Sequence, residues 1–314
     1  MSHEVETMMY VGKVPWHGLG TALDGPPSID EALSLAGLDW QVDCRPLFLA
    51  SGAEAPARAV VRESDASVLG VVGRSYRPLQ NQEAFGFFQP LVESRLVDLE
   101  TAGSLSGGKR VWVLARIVGD PLVVQGDDVV ERFILLSNSH DGSLAIRVGF
   151  TPIRVVCRNT LAYAHETGAS KLIRIMHTAS AKDALDGVRE VMSLADRSFT
   201  ATAEQFRYLA SKPIVAADLK KYIERVFALP EATDPSKQSC PRVLEKVIPL
   251  FENGMGAELA SAKGSWWGAY SAISEHLTHY RGRTADSRVN SLWFGDSAKL
   301  NRVALSTACS MAAA

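Results

Sequence analysis

The strongest constraint in this chain is a turn. Asp141-Gly142 sits between two apolar runs, Phe133 to Ser139 and Ser143 to Phe150. An Asp-Gly pair in that setting marks a tight hairpin, because both turn positions need positive φ. With these two as the loop residues, His140 faces Ser143 and Ser139 faces Leu144. Strand alternation then puts Phe133, Leu135, Ser137, Leu144, Ile146, Val148 and Phe150 on one face. Leu136, Asn138, His140, Ser143, Ala145 and Arg147 fall on the other. The first face is core; the second is mixed and carries a cation. Pro152 interrupts the ladder, and a basic segment with Arg154 and Arg158 leads to Asn159-Thr160, the expected N-cap of a helix through Leu161 and Ala164.

Upstream of this hairpin the chain reads as further antiparallel strands with one or two short helices. Residues 1–25 form an arm too rich in Gly and Pro for a helix, in which Trp16 and Leu19 supply something to bury around His17. Ser28 to Glu31 is a capping box for a helix that Gly37 ends. Trp40, Val42 and Cys44 alternate with polar residues as in a half-buried strand, and Ala57 to Arg62 with Val68 to Gly73 predicts a hairpin around Glu63 to Ser67. Asn81 is the expected cap of a helix with Ala84, Phe85, Phe88 and Leu91 on one side. Leu96 to Ser104 and Lys109 to Ile117 flank Ser106-Gly107-Gly108. Those glycines lie between strands, not before a helix, so they predict a hairpin turn and not a phosphate loop.

From Ala181 the pattern turns helical. Leu185, Val188, Met192, Ala195, Phe199, Thr202, Phe206 and Leu209 form a heptad seam, which packs on a later helix of the chain or on another subunit. Pro213 stops it. Shorter helices follow around Leu219 to Phe227, around Arg242 to Phe251 with a kink at Pro249, along a face with Trp267, Tyr270, Ile273, Leu277 and Tyr280, and from Ser297 through Leu305. Leu229 to Pro241 reads as a surface loop and the Ala-rich end as frayed. The fold class expected is α+β: an antiparallel β-meander with a packed helix, a β-β-β-α core, followed by a helical C-terminal region. The boundaries are an arm at 1–25, a sheet domain at 26–178 and a helical region at 179–314.

Composition narrows function mainly by exclusion. A net charge of −2 gives no global basic field, so any nucleic-acid contact must come from a local patch. Cys44, Cys157, Cys240 and Cys309 are far apart and form no C-x-x-C pair, which fits reduced thiols in a cytoplasmic protein. The first residues lack the order of a signal peptide and no apolar run approaches a membrane span.

No catalytic motif stands out. Ser139-His140-Asp141 has three letters of a hydrolase triad, but neighbours in a strand point to opposite faces and cannot converge on one atom. His276 and His279 lie about one helical turn apart without a matching third ligand, so no metal and no cofactor is expected. The basic residues carry more. Lys109, Arg110, Arg116, Arg132, Arg147, Arg154 and Arg158 lie in or beside the meander, with Trp112 among them. Cations with aromatics on a sheet suit single-stranded nucleic acid, whose backbone follows charge and whose bases stack.

Five stretches together resemble one family: Trp16 to Gly20, Tyr76-x-Pro-Leu-Gln-Asn81, Gly107 to Trp112, Ser139 to Ser143, and Arg154 to Leu161. That family is the phage/plasmid-like proteins, or domain of unknown function 932. The resemblance brings no activity, only a context of phages and mobile elements. The β-β-β-α order is also similar to that of single-strand annealing recombinases, which hold DNA in a basic groove as rings or filaments. Taken together these imply a non-catalytic, oligomeric protein that binds and anneals single-stranded DNA in mobile-element recombination. The expected contacts are Lys109, Arg110, Arg147, Arg154 and Arg158 to phosphate, Asn159 as a hydrogen-bond donor, and Trp112 as a stacking ring if exposed. Two alternatives stand beside it: a metal-dependent enzyme on nucleotides or nucleic acid, using His140 or His276 with His279, and a self-assembling factor that binds a host protein.

Overall fold

The computed structural model describes residues 5–12, 20–154, 159–160, 173–177, 188–228, 242–282, 288, 291–292 and 295–314. Helices and antiparallel strands are both abundant, as expected of an α+β chain. The chain divides into two compact units with interleaved segments. Unit one is Met1–Gly119, Phe133–Phe150 and Lys171–Leu194; unit two is Asp120–Arg132, Thr151–Ser170 and Ala195–Ala314.

In unit one the main sheet runs β10 (Ile146–Arg154), β9 (Asp128–Ser139), β7 (Arg110–Ile117), β6 (Val97–Leu105), β1 (Val5–Val11), β2 (Thr21–Leu23). The meander β6-β7-β9-β10 is the one expected. Its last helix, expected from Leu161, lies outside the described residues. The arm is not loose: β1 joins β6 antiparallel, with Met9 opposite Ala102, and β2 pairs with β1 in parallel. β12 (Ile173–Ile175) pairs with β10, setting Arg147 opposite Arg174. A second sheet, β3 (Val42–Phe48), β4 (Glu54–Arg62) and β5 (Val68–Gly73), carries a small core of Val42, Val60, Leu69 and Val72.

The helices of unit one are short. In α1 (Ile29–Leu35) the capping box forms as expected, with Glu31 N–H donating to Ser28 Oγ at 3.4 Å and Ser28 N–H to Glu31 Oε2 at 2.9 Å. α2 (Asn81–Gly86) and α3 (Gln89–Glu93) follow. Asn81 does not cap α2. Gln80 stands at the N-cap, its N–H held by Glu83 Oε2, because the Asn81 side chain is drawn inward to other partners.

The β9–β10 connection also differs from the tight turn expected. β9 stops at Ser139 and β10 starts at Ile146, so the loop spans 140–145. Gly142 has φ +74°, but Asp141 does not adopt positive φ. Its carboxylate accepts from Ser143 N–H at 2.9 Å instead, an Asx turn that replaces the mirror-image turn. Nor is one face of β9 solvated: every residue from Phe133 to Ser139 is buried. Around Ser106, Gly107 and Gly108 the β6–β7 turn forms as expected, all three at positive φ.

Unit two is helical. Its elements are α4 (Val188–Ser211) from Ala195 onward, α5 (Ala216–Val226), α6 (Arg242–Asn253), α7 (Trp266–Glu275) continuing into a π-helical turn (His276–Tyr280), and α8 (Asp296–Ala312). In the described half of the seam Phe199, Thr202, Phe206 and Leu209 are buried, and the Phe206 ring lies 4.7 Å from that of Trp267. This half therefore packs on a later helix of its own chain. Leu185 lies outside the described residues, as do the side chains of Val188, Met192 and Ala195.

Two expectations need correction, at α7 and at the Ala-rich end. α7 is not one-sided: every residue from Trp266 to Glu275 is buried, so it is the central helix of the unit. Small residues on its other side allow this, since a Cβ at Gly268 would collide with the Ala262 carbonyl. Val303 of α8 is exposed, and the buried stripe is Ser297, Asn301, Ala304, Leu305 and Ala308. The Ala-rich end is helical and docked, with Tyr208 Oη donating to the Ala312 carbonyl at 3.1 Å. α6 runs through Pro249 to Asn253, and the 229–241 loop lies outside the described residues.

A buried carboxylate ties this unit together. Asp128 is fully buried and accepts from Ser261 Oγ at 2.6 Å and from Trp267 Nε1 at 2.7 Å. It thereby fixes the β8 (Leu122–Gln125) and β9 hairpin to the centre of the helical core.

Candidate functional site

Two of the stretches that carried the family resemblance meet in unit one around His140, and the Gly107 to Trp112 turn joins them through its backbone. His140 is the first residue of the β9–β10 loop, tied by its N–H to the Lys109 carbonyl at 2.8 Å. Its ring is fully buried, and Nε2 lies 3.0 Å from Asn81 Oδ1. Asn81 Nδ2 donates to the Leu38 carbonyl at 3.0 Å and to that of Trp40 at 3.3 Å, which fixes the amide orientation. Oδ1 must then face the imidazole, so the neutral ring carries its proton on Nε2 and leaves Nδ1 bare. Nδ1 has no hydrogen-bond partner. The Trp40 ring meets the imidazole edge-on at 5.3 Å.

Three polar side chains of the Tyr76 to Asn81 stretch, those of Tyr76, Gln80 and Asn81, are clips. Tyr76 Oη donates to the Ser139 carbonyl at 2.7 Å, and Gln80 both accepts from Val42 N–H and donates to the Val42 carbonyl, each at 3.0 Å. Asn138, on the same face as His140, donates to the Leu79 carbonyl at 3.1 Å, while its Oδ1 is buried without a partner. His177 stacks on Tyr76 at 4.6 Å and reaches the Leu144 carbonyl through Nε2. Burial, and then the neighbouring His177, pull the His140 pKa down to about 3; burial also lowers that of His177 and raises that of the Tyr76 phenol. These are neutral groups near pH 7, set in place by desolvation.

The glycines complete the closure. A Cβ at Gly70 would come within 2.5 Å of Asp141 Cα, and one at Gly108 would press on Arg62, Glu6 and Trp40. Arg62 bridges Glu6 at 2.8 Å and Asp65 at 2.6 Å and lies over the Trp40 ring at 5.2 Å.

The residues expected to hold nucleic acid have varied surroundings. Lys109 is exposed at the β6–β7 tip and has no ion pair among the described residues. Arg110 is half-buried and donates to Ser143 Oγ at 3.4 Å. Arg147 is half-buried, in register with Arg174 across β10 and β12. The stacking expectation for Trp112 is corrected: the ring is 2% exposed, donates to Thr101 Oγ1 and lies over Gly103, so no face is open to a base. Asn159 and Thr160 are corrected as well, from an N-cap to a short strand, β11, paired with Arg154 and Ile153 of β10. The side chains of Arg154 and Asn159, and all of Arg158, lie outside the described residues, as does the segment from Trp16 to Leu19. Two further cations are already engaged. Arg116 pairs with Asp98 at 2.7 Å and Glu100 at 3.1 Å, and Arg132 lies over Phe199 at 5.8 Å.

Among the described residues no group of three or more His, Cys, Asp or Glu side chains could hold a metal ion. Ser139 Oγ is bound to the Leu144 backbone while His140 turns to Asn81, so the triad letters diverge. His276 is 5% exposed with its ring against Phe227 at 6.0 Å, and its pKa falls to about 4 through burial and then through Lys246 and Arg281. Sequence reasoning passes over Asn138, His177 and Trp40 as site residues. Asn138, near the end of β9, and His140, just beyond it, are two residues apart and so fall on one side of the extended chain, a legible signal. His177 offers none, because only β12 pairing brings it there.

Over residues 68–293 the chain matches the family model described as Domain of unknown function (DUF932). No curated protein and no solved structure matches it. Among the described residues no helix is long and apolar enough to cross a membrane.

Proposed function

We propose that this chain, a member of the DUF932 family, binds single-stranded DNA without catalysing a reaction on it. The observation that carries this reading is the concentration of cations at one end of the unit-one sheet. Lys109 and Arg110 stand at the β6–β7 tip, and Arg147 and Arg174 are opposed a few residues beyond the β9–β10 loop. Arg154, at the end of β10, and Arg158 just beyond it extend the same basic character along the chain.

The buried cluster beneath supports binding more than catalysis. A general acid or base must come within hydrogen-bond reach of its substrate. His140 is fully enclosed, and its partners hold two loops in place beside the cations. Annealing by a ring or filament, and a role in phage or mobile-element recombination, are the finer form of the proposal. They rest on the similarity of element order to annealing recombinases. Any such assembly uses surfaces other than the second half of the α4 seam, which the core of unit two buries.

Alanine at Lys109 and Arg110 together tests the site. The double variant folds as the parent does and binds oligo-dT more weakly. The slope of its log affinity against log salt falls by roughly 0.7 for each phosphate no longer neutralised. Alanine at Arg154 and Arg158 has the same effect. An unchanged slope in both double variants removes the proposal.

A further inference from the structure

We propose that β5 pairs edge to edge with β5 of a second copy of this chain, antiparallel about a twofold axis at Val71. The surface lies in unit one but does not rest on the DNA-binding reading, and its test contains no DNA.

The three-stranded sheet ends in β3 on one side and β5 on the other. A strand at a sheet edge presents a row of unpaired N–H and C=O groups, and chains that stay apart blunt it with charge, proline, a bulge or a cover. β3 has all four. Asp43 and Arg45 are exposed on it 3.7 Å apart, Pro46 removes a donor, and the register slips between Pro46 and Phe48. Gln80 covers its first residue, binding both the N–H and the carbonyl of Val42 at 3.0 Å.

β5 is built the other way. Its sequence, Val-Leu-Gly-Val-Val-Gly, has no charge and no proline. Among the described residues β4 is its only strand partner, and no hydrogen bond outside that ladder engages Val68 to Val72. Val68 and Val71 are 58% and 59% exposed. They share a side because the register shift at Leu69 turns that residue inward, where it is buried. From Gly70 to Gly73 the ladder is regular. On the inward side Asp141 and Gly142 abut Gly70 and Val72, which holds the strand in place.

Charge selects both the partner and its direction. The turn leading into β5 is acidic, with Glu63 and Asp65 exposed; the strand leaves toward Arg74 and Arg77, exposed as well. Arg74 reaches Glu54 at 3.8 Å, a long ion pair at the surface. An antiparallel copy brings the basic end of each strand to the acidic turn of the other, twice by symmetry. A parallel copy sets like charge beside like. Centred on Val71, each Val71 faces its mate, and Gly70 faces Val72 of the other copy. The pairing joins two three-stranded sheets into one of six strands. Such an isologous contact closes at two copies, so a ring or filament needs a further surface.

The full chain is followed by sedimentation equilibrium from low to high micromolar concentration, beside Val71→Lys, E63K, R74E and E63K/R74E. Thermal melts check that each variant folds. The parent is expected to dimerise. Val71→Lys sets a charge on the open edge and returns the chain to monomer. E63K and R74E each weaken the dimer roughly tenfold, since each reversal acts twice across the twofold axis. The double reversal restores it. A parent that stays monomeric at every concentration overturns the proposal and leaves the edge to an extended segment of another protein. A dimer untouched by Val71→Lys overturns it too, as does one that the single reversals weaken and the double reversal does not restore.

Discussion

At the scale of single residues, His140 and Asp128 show what buried polar groups do in this chain. His140 is kept neutral because its nitrogens are out of water and Asn81 can only accept from it. Its folded pKa, about 3, lies below the unfolded value near 6.5. The neutral form is thus favoured by folding. Its stability contribution is complete above the unfolded pKa and is lost as pH falls from about 6.5 toward the folded value. Urea unfolding at descending pH should show an acid limb in that window. His140→Leu should flatten it while costing roughly 1–3 kcal/mol at neutral pH, because Asn81 Oδ1 is left without a donor. An acid limb identical in the variant would assign the loss to other groups. Asp128 is the opposite case, a carboxylate whose removal strands two buried donors, Ser261 Oγ and Trp267 Nε1. Asp128→Ala should cost about 3 kcal/mol or more by chemical denaturation, given that hydrogen bonds to charged groups are worth about 1.5–3 kcal/mol each.

At the scale of elements, what is legible in the sequence depends on how local the cause is. The β6–β7 turn, the α1 capping box and the meander order follow from neighbours in sequence, and they appear where the residues place them. Asn81 reads as a cap because capping is a local role, whereas its actual partners, Leu38, Trp40 and His140, come from other segments of the chain. α7 reads as amphipathic because its small and polar residues resemble a solvated face. Gly268 instead lets the Ala262 backbone close in, and Ser271 and Ser274 are buried beside it. The polar clips of Tyr76 and Gln80 are visible as a motif, but a motif alone does not disclose that its side chains are hydrogen-bonding backbone. Gly70 tests this closure. With Asp141 Cα only 2.5 Å from the site of a new Cβ, Gly70→Ala should push the β9–β10 loop away from β5 and cost about 1–3 kcal/mol. Equal stability in calorimetry would mean that loop and strand do not touch.

For the whole molecule, burial separates the roles of its residues. The His140 imidazole and the Asp128 carboxylate are interior struts, while Lys109 is exposed at the β6–β7 tip, where the proposal puts a charged partner. Charge pairing of this kind is salt-sensitive, since binding releases counterions from the phosphates. Binding of a fluorescein-labelled oligo-dT should therefore be measured by anisotropy at low and at physiological salt, with the Lys109/Arg110 double variant beside the parent. Tight binding at low salt, a steep fall with added salt, and a shallower slope in the variant are the results expected. No binding by the parent even at low salt would contradict the account.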